Sequence, residues 1–261
     1  MKYIFLALFL LTATLLAETD LRLNHYPKAL KWLEDADTNG ESTYNIGVIY
    51  QQKIKDNEKA IEWYKKAYEM DDEGAAGSAA NNLGYLFKNL EKSQKSEEWF
   101  RKSISKNNTN ALVGLGLLFD SKKLRRCEDA AFYYQKAYKM GNVIGAHNLA
   151  LMYKNTLNKS DKAIEWYKKA AKDGYADSIK NLARYYKLEK NDNILGGAYF
   201  LALIDIKYPK QKVLTYLRTK WKLTDKEIKK AYQLQKTLDI PKHYYDPEYE
   251  LKSIKKKSGR Q

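Results

Sequence analysis

Apolar and polar positions along the chain fall into one arrangement that recurs four times. Ala60-Ile61-Glu62-Trp63-Tyr64-Lys65-Lys66-Ala67 returns as Ala163-Ile164-Glu165-Trp166-Tyr167-Lys168-Lys169-Ala170, with looser copies over Ser96–Ser103 and Ala130–Ala137. The first residues, 60, 96, 130 and 163, are separated by steps of 36, 34 and 33. Positions 0, +3, +4 and +7 of each copy share one side of a helix, so Ala60, Trp63, Tyr64 and Ala67 are expected to form a buried stripe of small and aromatic residues. Further landmarks follow at fixed offsets. From Ala130 they are Gly141 at +11, Asn148-Leu149 at +18 and +19 and Tyr153 at +23; from Ala163 they are Gly174, Asn181-Leu182 and Tyr186. From Ser96 they are Asn107, Gly114-Leu115 and Phe119. Glycine at +11, or asparagine as next best, suits the left-handed residue that ends a helix. A period of this size belongs to helical solenoids, in which one helix pair cannot bury its apolar face alone and stacks on its neighbours.

The pattern places an opening helix over Pro27–Asp37 and five helix pairs after it. The first helices of the pairs are expected near Ser42–Gln52, Ser78–Lys88, Asn110–Lys122, Gly145–Lys154 and Ala176–Lys187. Their partners are expected near Glu58–Met70, Ser93–Ser105, Cys127–Met140, Ser160–Lys172 and Ile194–Ile206. Asp71–Gly77 is four residues longer than its equivalents and the turn at Gly40 two shorter, and such changes are assigned to loops. Tyr208-Pro209 then breaks the pattern. Lys210–Lys220 and Leu223–Leu238 read as two more helices, the second opened by the capping sequence Thr224-Asp225-Lys226-Glu227, and they are expected to cap the array.

Ala-x-x-Trp-Tyr-x-Lys-Ala followed by Gly and Asn-Leu-Gly/Ala-x-x-Tyr resembles the Sel-one-like repeat (SLR), a branch of the tetratricopeptide superfamily, over roughly residues 26 to 205. The resemblance implies an all-α fold, a right-handed superhelical solenoid of antiparallel helix pairs with a C-terminal helical cap. In that family the Asn-Leu-Gly helix is A and the Trp-Tyr helix is B; helix A lines the concave side, and members act mainly as adaptors for protein complexes. Two departures stand out. The A-to-B connections, such as Gln51–Asp56, lack the glycine-rich loop common in these repeats, and the paired cysteines of the disulfide-stapled secreted members are missing.

Charge and the N-terminus then bear on where such a protein would work. With 47 basic against 32 acidic residues the net charge is +15, which favours anionic partners. Lys2, a short apolar run from Tyr3 to Ala17 and the acidic Glu18 and Asp20 describe a signal peptide over residues 1–17, cleaved after Ala17. A span normally needs about 20 apolar residues, so this run is too short for an anchor. The expected location is therefore periplasmic or secreted, of the exported bacterial type, and nucleic acid is not an expected partner. With a single cysteine, Cys127, no intrachain disulfide can form, so stability must come from packing within one folded body. The basic end, with Lys255, Lys256, Lys257 and Arg260 within a tail spanning residues 241–261, is a candidate electrostatic contact with an anionic surface.

Catalytic patterns are weak by comparison. His25, His147 and His243 lie in separate segments without an i, i+4 partner, so no metal or cofactor is expected. Ser103-Ile104-Ser105-Lys106 and Ser253-Ile254-Lys255-Lys256 match Ser-x-x-Lys, yet the companion elements of penicillin-recognising enzymes are missing and Ser103 stands at the buried position +7. Through the cysteine-rich relatives the resemblance also carries a β-lactamase or peptidoglycan-directed alternative. The charge supports another, a cationic binder of anionic envelope polymers. Asn107-Asn108-Thr109 and Asn158-Lys159-Ser160 are read as ordinary loop residues, and Asp71-Asp72-Glu73 as a solvated insertion. The candidate binding residues are Asn45, Asn82, Asn148 and Asn181, which share one place in successive A helices, with Gly114 interrupting. A carboxamide both donates and accepts, as recognition of a peptide backbone requires. The leading expectation is an exported, monomeric adaptor for a protein or peptide.

Overall fold

The computed structural model describes residues 20–241, so the signal-peptide reading of residues 1–17 and the basic tail lie outside the described residues. Among the described residues the chain is helical without a strand. The helices are α1 (Pro27–Leu33), α2 (Gly40–Ile49), α3 (Asn57–Glu69), α4 (Glu73–Asn89), α5 (Ser93–Ser105) and α6 (Asn110–Phe119). They continue with α7 (Cys127–Lys139), α8 (Val143–Asn155), α9 (Ser160–Lys172), α10 (Ala176–Leu188), α11 (Asn193–Asp205), α12 (Lys210–Thr219) and α13 (Asp225–Gln235). A 3₁₀ turn over Leu21–His25 precedes α1, and a π-helical turn over Tyr50–Ile54 continues α2. Where the sequence reads as one body, the chain divides into two compact units at Leu118–Phe119, near the end of α6. In the first unit α2 packs on α3, α3 on α4 and α4 on α5. In the second, each helix from α7 to α11 packs on the next, and α13 returns onto α11.

The B helices bury the expected stripe with one correction. Ala60, Ala130 and Ala163, Ala67, Ala137 and Ala170, and the rings of Tyr64, Phe100, Tyr134 and Tyr167 have almost no exposed surface. The aromatic at +3 lies at the edge of that stripe: Trp63 and Trp166 are half-buried, not buried, and Trp99 alone of the three tryptophans is covered. Each indole carries the lysine three residues on over its face, Lys66 at 5.0 Å from Trp63, Lys102 at 4.2 Å from Trp99 and Lys169 at 3.8 Å from Trp166. An ammonium over an indole keeps its own hydration at the edge of the stripe, but it does not by itself set the exposure, since Trp99 is covered with Lys102 over its face. The edges of Tyr68 and Tyr138 meet Trp99 and Trp166, each on the next B helix.

Two kinds of turn close the pairs. Every B helix ends on a left-handed residue at +11, Asp71, Asn107, Gly141, Gly174 and Lys207, so the role expected of glycine is also filled by aspartate and lysine. In four of them the N–H of the next residue reaches back to the +7 carbonyl, as from Asn142 to Ala137 and from Tyr175 to Ala170, both 2.9 Å. The A-to-B turns, which lack glycine, use Lys55, Glu91, Arg125, Asn158 and Asn191 in the same left-handed region. The following N–H then bonds to an aromatic residue's carbonyl near the end of helix A, as Asp56 to Tyr50 at 2.9 Å and Lys159 to Tyr153 at 2.7 Å. Backbone bonding thus replaces the glycine-rich loop.

Several expected boundaries are corrected. The four extra residues over Asp71–Gly77 do not form a loop: α4 begins at Glu73 with Asp72 as its N-cap, and the insertion adds a turn of helix. Gly40 opens α2 and is buried, because a Cβ there would lie 2.8 Å from the Cβ of Asp72. The opening helix stops at Leu33, short of Asp37, and α6 stops at Phe119, short of Lys122. At the far end the capping box forms as expected. The Glu227 N–H bonds to the Thr224 hydroxyl, and the Glu227 carboxylate accepts from the Thr224 N–H at 2.7 Å. The α12–α13 pair buries Leu214, Leu217, Ile228 and Ala231, and between its helices Lys222 takes the same left-handed turn as its counterparts. Both helices pack on α11, as a cap that covers the last B helix.

Candidate binding site

The four asparagines of the sequence reading are all half-buried on A helices, Asn45 on α2, Asn82 on α4, Asn148 on α8 and Asn181 on α10. Their surroundings follow from the ring at +4 of the preceding B helix. Tyr64 donates its buried hydroxyl to Gln51 Oε1 at 2.7 Å and accepts from Asn82 Nδ2 at 3.1 Å; the same amide reaches the Tyr44 hydroxyl at 3.3 Å. Tyr167, likewise buried, turns its hydroxyl toward Asn181, and burial pushes its pKa up to about 12. In the second repeat the ring is Phe100 and the carboxamide is replaced by Gly114, where a Cβ would lie 2.3 Å from Phe100 Cε1. In the fifth the ring is Phe200 and the equivalent position is Leu214, again apolar. Carboxamides thus follow tyrosines, at 64 and 82, 134 and 148, 167 and 181, and are missing after phenylalanines. Asn45, which follows Leu33, is the exception. A buried phenol hydroxyl calls for a hydrogen-bonding partner and a phenyl ring does not; Asn82 supplies that bond to Tyr64, whereas the Tyr167 hydroxyl is buried without one in hydrogen-bond geometry.

In the second unit this face opens into a cavity of ≈ 550 Å³. Its floor comes from α8 and α10, through His147, Asp177, Lys180, Asn181 and Arg184; its wall is Phe200, Tyr216 and Trp221. The rings form one cluster, Phe200 stacked on Tyr216 at 4.9 Å and tilted against Trp221 at 5.1 Å. Tyr216 nevertheless keeps 42% of its surface exposed. His147 is buried, with Nδ1 2.8 Å from Ser178 Oγ and its ring 4.7 Å from that of Tyr175. Burial lowers its pKa, with Asp177 opposing, so the neutral ring is favoured. Lys180 donates to Asp177 Oδ1 at 3.0 Å and to the Tyr208 hydroxyl at 2.9 Å. Arg184 is exposed, and makes no hydrogen bond or ion pair among the described residues.

Sequence reasoning named Asn181 and missed Arg184, Phe200, Tyr216 and Trp221. The available signal was the apolar pair Phe200 and Leu214, which marks where tyrosine–asparagine pairing ends. Ser103 is fully buried and donates to the Gly77 carbonyl at 2.6 Å, so its hydroxyl is committed inside the fold. The described residues hold no group of three His, Cys, Asp or Glu placed to bind a metal ion. Lys255, Lys256, Lys257 and Arg260 lie outside the described residues. Among those described, no helix is long and apolar enough to cross a membrane.

The tetratricopeptide repeat family model matches residues 41–73 and 77–110, and the Sel1 repeat model matches residues 111–142 and 144–175. Among solved structures, the chain is similar to a protective antigen present in uropathogenic Escherichia coli strains that displays an SLR fold, with 21% identity and a TM-score of 0.55. That match covers 81% of this chain and 48% of the other, so this chain spans about half the length of that relative. A Sel1 repeat protein from Oxalobacter formigenes is similar at 19% identity and a TM-score of 0.51, covering 76% of this chain and 88% of the other. At these identities the likeness concerns the fold. No curated protein matches the sequence.

Proposed function

The chain belongs to the Sel1-like repeat branch of the tetratricopeptide superfamily, and from that premise we propose that it is an adaptor that holds a segment of another protein against the A-helix face of its second unit. The observation that carries this reading is the cavity itself. It sits on the face where family resemblance locates binding, and it exposes hydrogen-bonding and aromatic groups side by side. We place this activity in the cell envelope or outside the cell, on the strength of Lys2, the apolar run to Ala17 and the acidic residues that follow. Intact mass of the protein recovered from cells tests that placement: an N-terminus at Glu18 supports it, and retention of Met1 removes it.

Binding is tested by comparing Asn181→Ala and Asn148→Ala with Asn82→Ala in capture of a partner from envelope extract. The first two are expected to weaken capture with melting nearly unchanged. Asn82→Ala is expected to act on stability, since its amide already serves Tyr64 and Tyr44. If all three unfold before they lose binding, the asparagines are structural and the adaptor must bind elsewhere. The β-lactamase alternative needs a reachable serine, and the burial of Ser103 gives it no support.

A further inference from the structure

We propose that the cavity of the second unit is built for an acidic segment carrying a bulky aromatic side chain, with a carboxylate on Arg184 and the ring on Tyr216. This rests on the adaptor reading and goes beyond it in naming the ligand's chemistry. Three observations converge. Arg184 is a guanidinium four residues from Lys180 on the same face of α10, and while Lys180 is engaged by Asp177 and Tyr208, Arg184 has no such bond among the described residues. Arginine presents paired N–H groups that match a carboxylate, and the geometry at α10 leaves that fork open. Across the cavity, Tyr216 is a large ring left partly exposed within a packed cluster, which is the form an aromatic anchor site takes. Between them Asn181 lines the cavity and can bond a peptide backbone. Asp177 lines it too, but its carboxylate is bonded to Lys180, so the unpaired charge in the cavity is positive. Charge complementarity therefore selects an acidic partner, in keeping with the net charge of +15.

The test uses fluorescence anisotropy of the full chain with a labelled nonapeptide in which one Phe is flanked on both sides by Glu and Asp. Control peptides carry Lys for the acids or Ala for the Phe. The expected result is saturable binding of the acidic aromatic peptide alone, weakened about tenfold or more, roughly 1.4 kcal/mol, by Arg184→Glu and also weakened by Tyr216→Ala. Lys65→Glu, the same charge change at an exposed residue that does not line the cavity, is expected to leave the affinity within about twofold. Circular dichroism confirms that Arg184→Glu folds. Binding that survives Arg184→Glu, or no binding at all, overturns the site while leaving the adaptor reading to the capture experiment. Binding of chitotriose with the same dependence on Arg184 assigns the cavity to sugars and overturns the peptide. Binding that appears only after residues 242–261 are deleted assigns it to the chain's own acidic, tyrosine-rich segment and overturns an external partner.

Discussion

The two units apply one repeat rule to different ends. In the first, Asn82 is held by two phenol hydroxyls and the following ring, Phe100, packs against glycines at 84 and 114 with no room for a Cβ. In the second, Asn181 stands at the corresponding place and borders open space beside an arginine and a cluster of rings. A position in a repeat is therefore not a function. What the residue does depends on whether the helix after it continues the tyrosine–asparagine pairing or, as at Phe200 and Leu214, ends it.

The largest test of this comparison is truncation of the central rings. Phe100→Ala and Tyr167→Ala each remove a side chain with almost no exposed surface, and each should destabilise its own unit by about 3–5 kcal/mol. Hydrogen exchange read separately over the two units checks this, since one melting temperature would merge them. Loss of protection in both units from either variant would mean that they do not respond independently.

A smaller effect is expected from Gly114→Ala, which drives a Cβ into the Phe100 ring and should cost about 1–3 kcal/mol. Asn181→Ala, at the same place in the second unit, should cost under about 1 kcal/mol, the usual scale for one hydrogen bond. Equal denaturant midpoints for the two variants would break the comparison.

Acid separates the units more gently. Burial lowers the pKa of His147, so the unfolded chain takes up its proton first as pH falls below about 6.5, and the second unit loses stability there. His147→Gln should flatten that slope. The first unit has no buried histidine among its described residues. Its acid-sensitive element is Asp20, whose pKa the Arg22 guanidinium lowers to about 2, and whose contribution is lost only as pH falls through the carboxylate range toward that value. Urea unfolding at pH 7, 5.5 and 4 distinguishes the two.

Much of this architecture was legible because helical periodicity leaves a direct mark. Alanine, tyrosine and alanine at 0, +4 and +7 point inward in three B helices, serine, phenylalanine and serine do so in α5, and the +11 residue ends each B helix. Trp63 and Trp166 were misread as buried because periodicity cannot tell the centre of a face from its edge. Asp71–Gly77 was read as a loop because a length change carries no conformation of its own, whereas these residues lengthen α4 by a turn from Glu73 onward. The cavity was hidden for another reason. It joins His147 to Trp221 across five helix boundaries, and Phe200 and Trp221 look like ordinary core residues until the helices that carry them are placed.

The smallest expected effect concerns the turns. Lys55 and Arg125 sit at positive φ, and Lys55→Gly or Arg125→Gly relieves a cost of about 1–2 kcal/mol against a glycine entropy loss of ~0.5–1 kcal/mol. A rise of a few tenths of a kcal/mol in either unit is expected, seen as a small increase in the thermal midpoint. A fall would show that the lysine or arginine side chain contributes more than its backbone costs.

The tyrosine–asparagine pairing also sets the grammar by which such a chain can lengthen. Each phenol belongs to one repeat and its carboxamide to the next, so a duplicated block joins cleanly only where both edges speak the same dialect. Ahead of Asn82 a copy ending in phenylalanine would remove the hydroxyl that the amide bonds at 3.1 Å, and at Gly114 the packed ring leaves no room for a side chain that could serve a hydroxyl. Phe100 and Gly114 thus act as a seam that resists recombination with the rest of the array, and new repeats would be admitted on either side of it rather than across it.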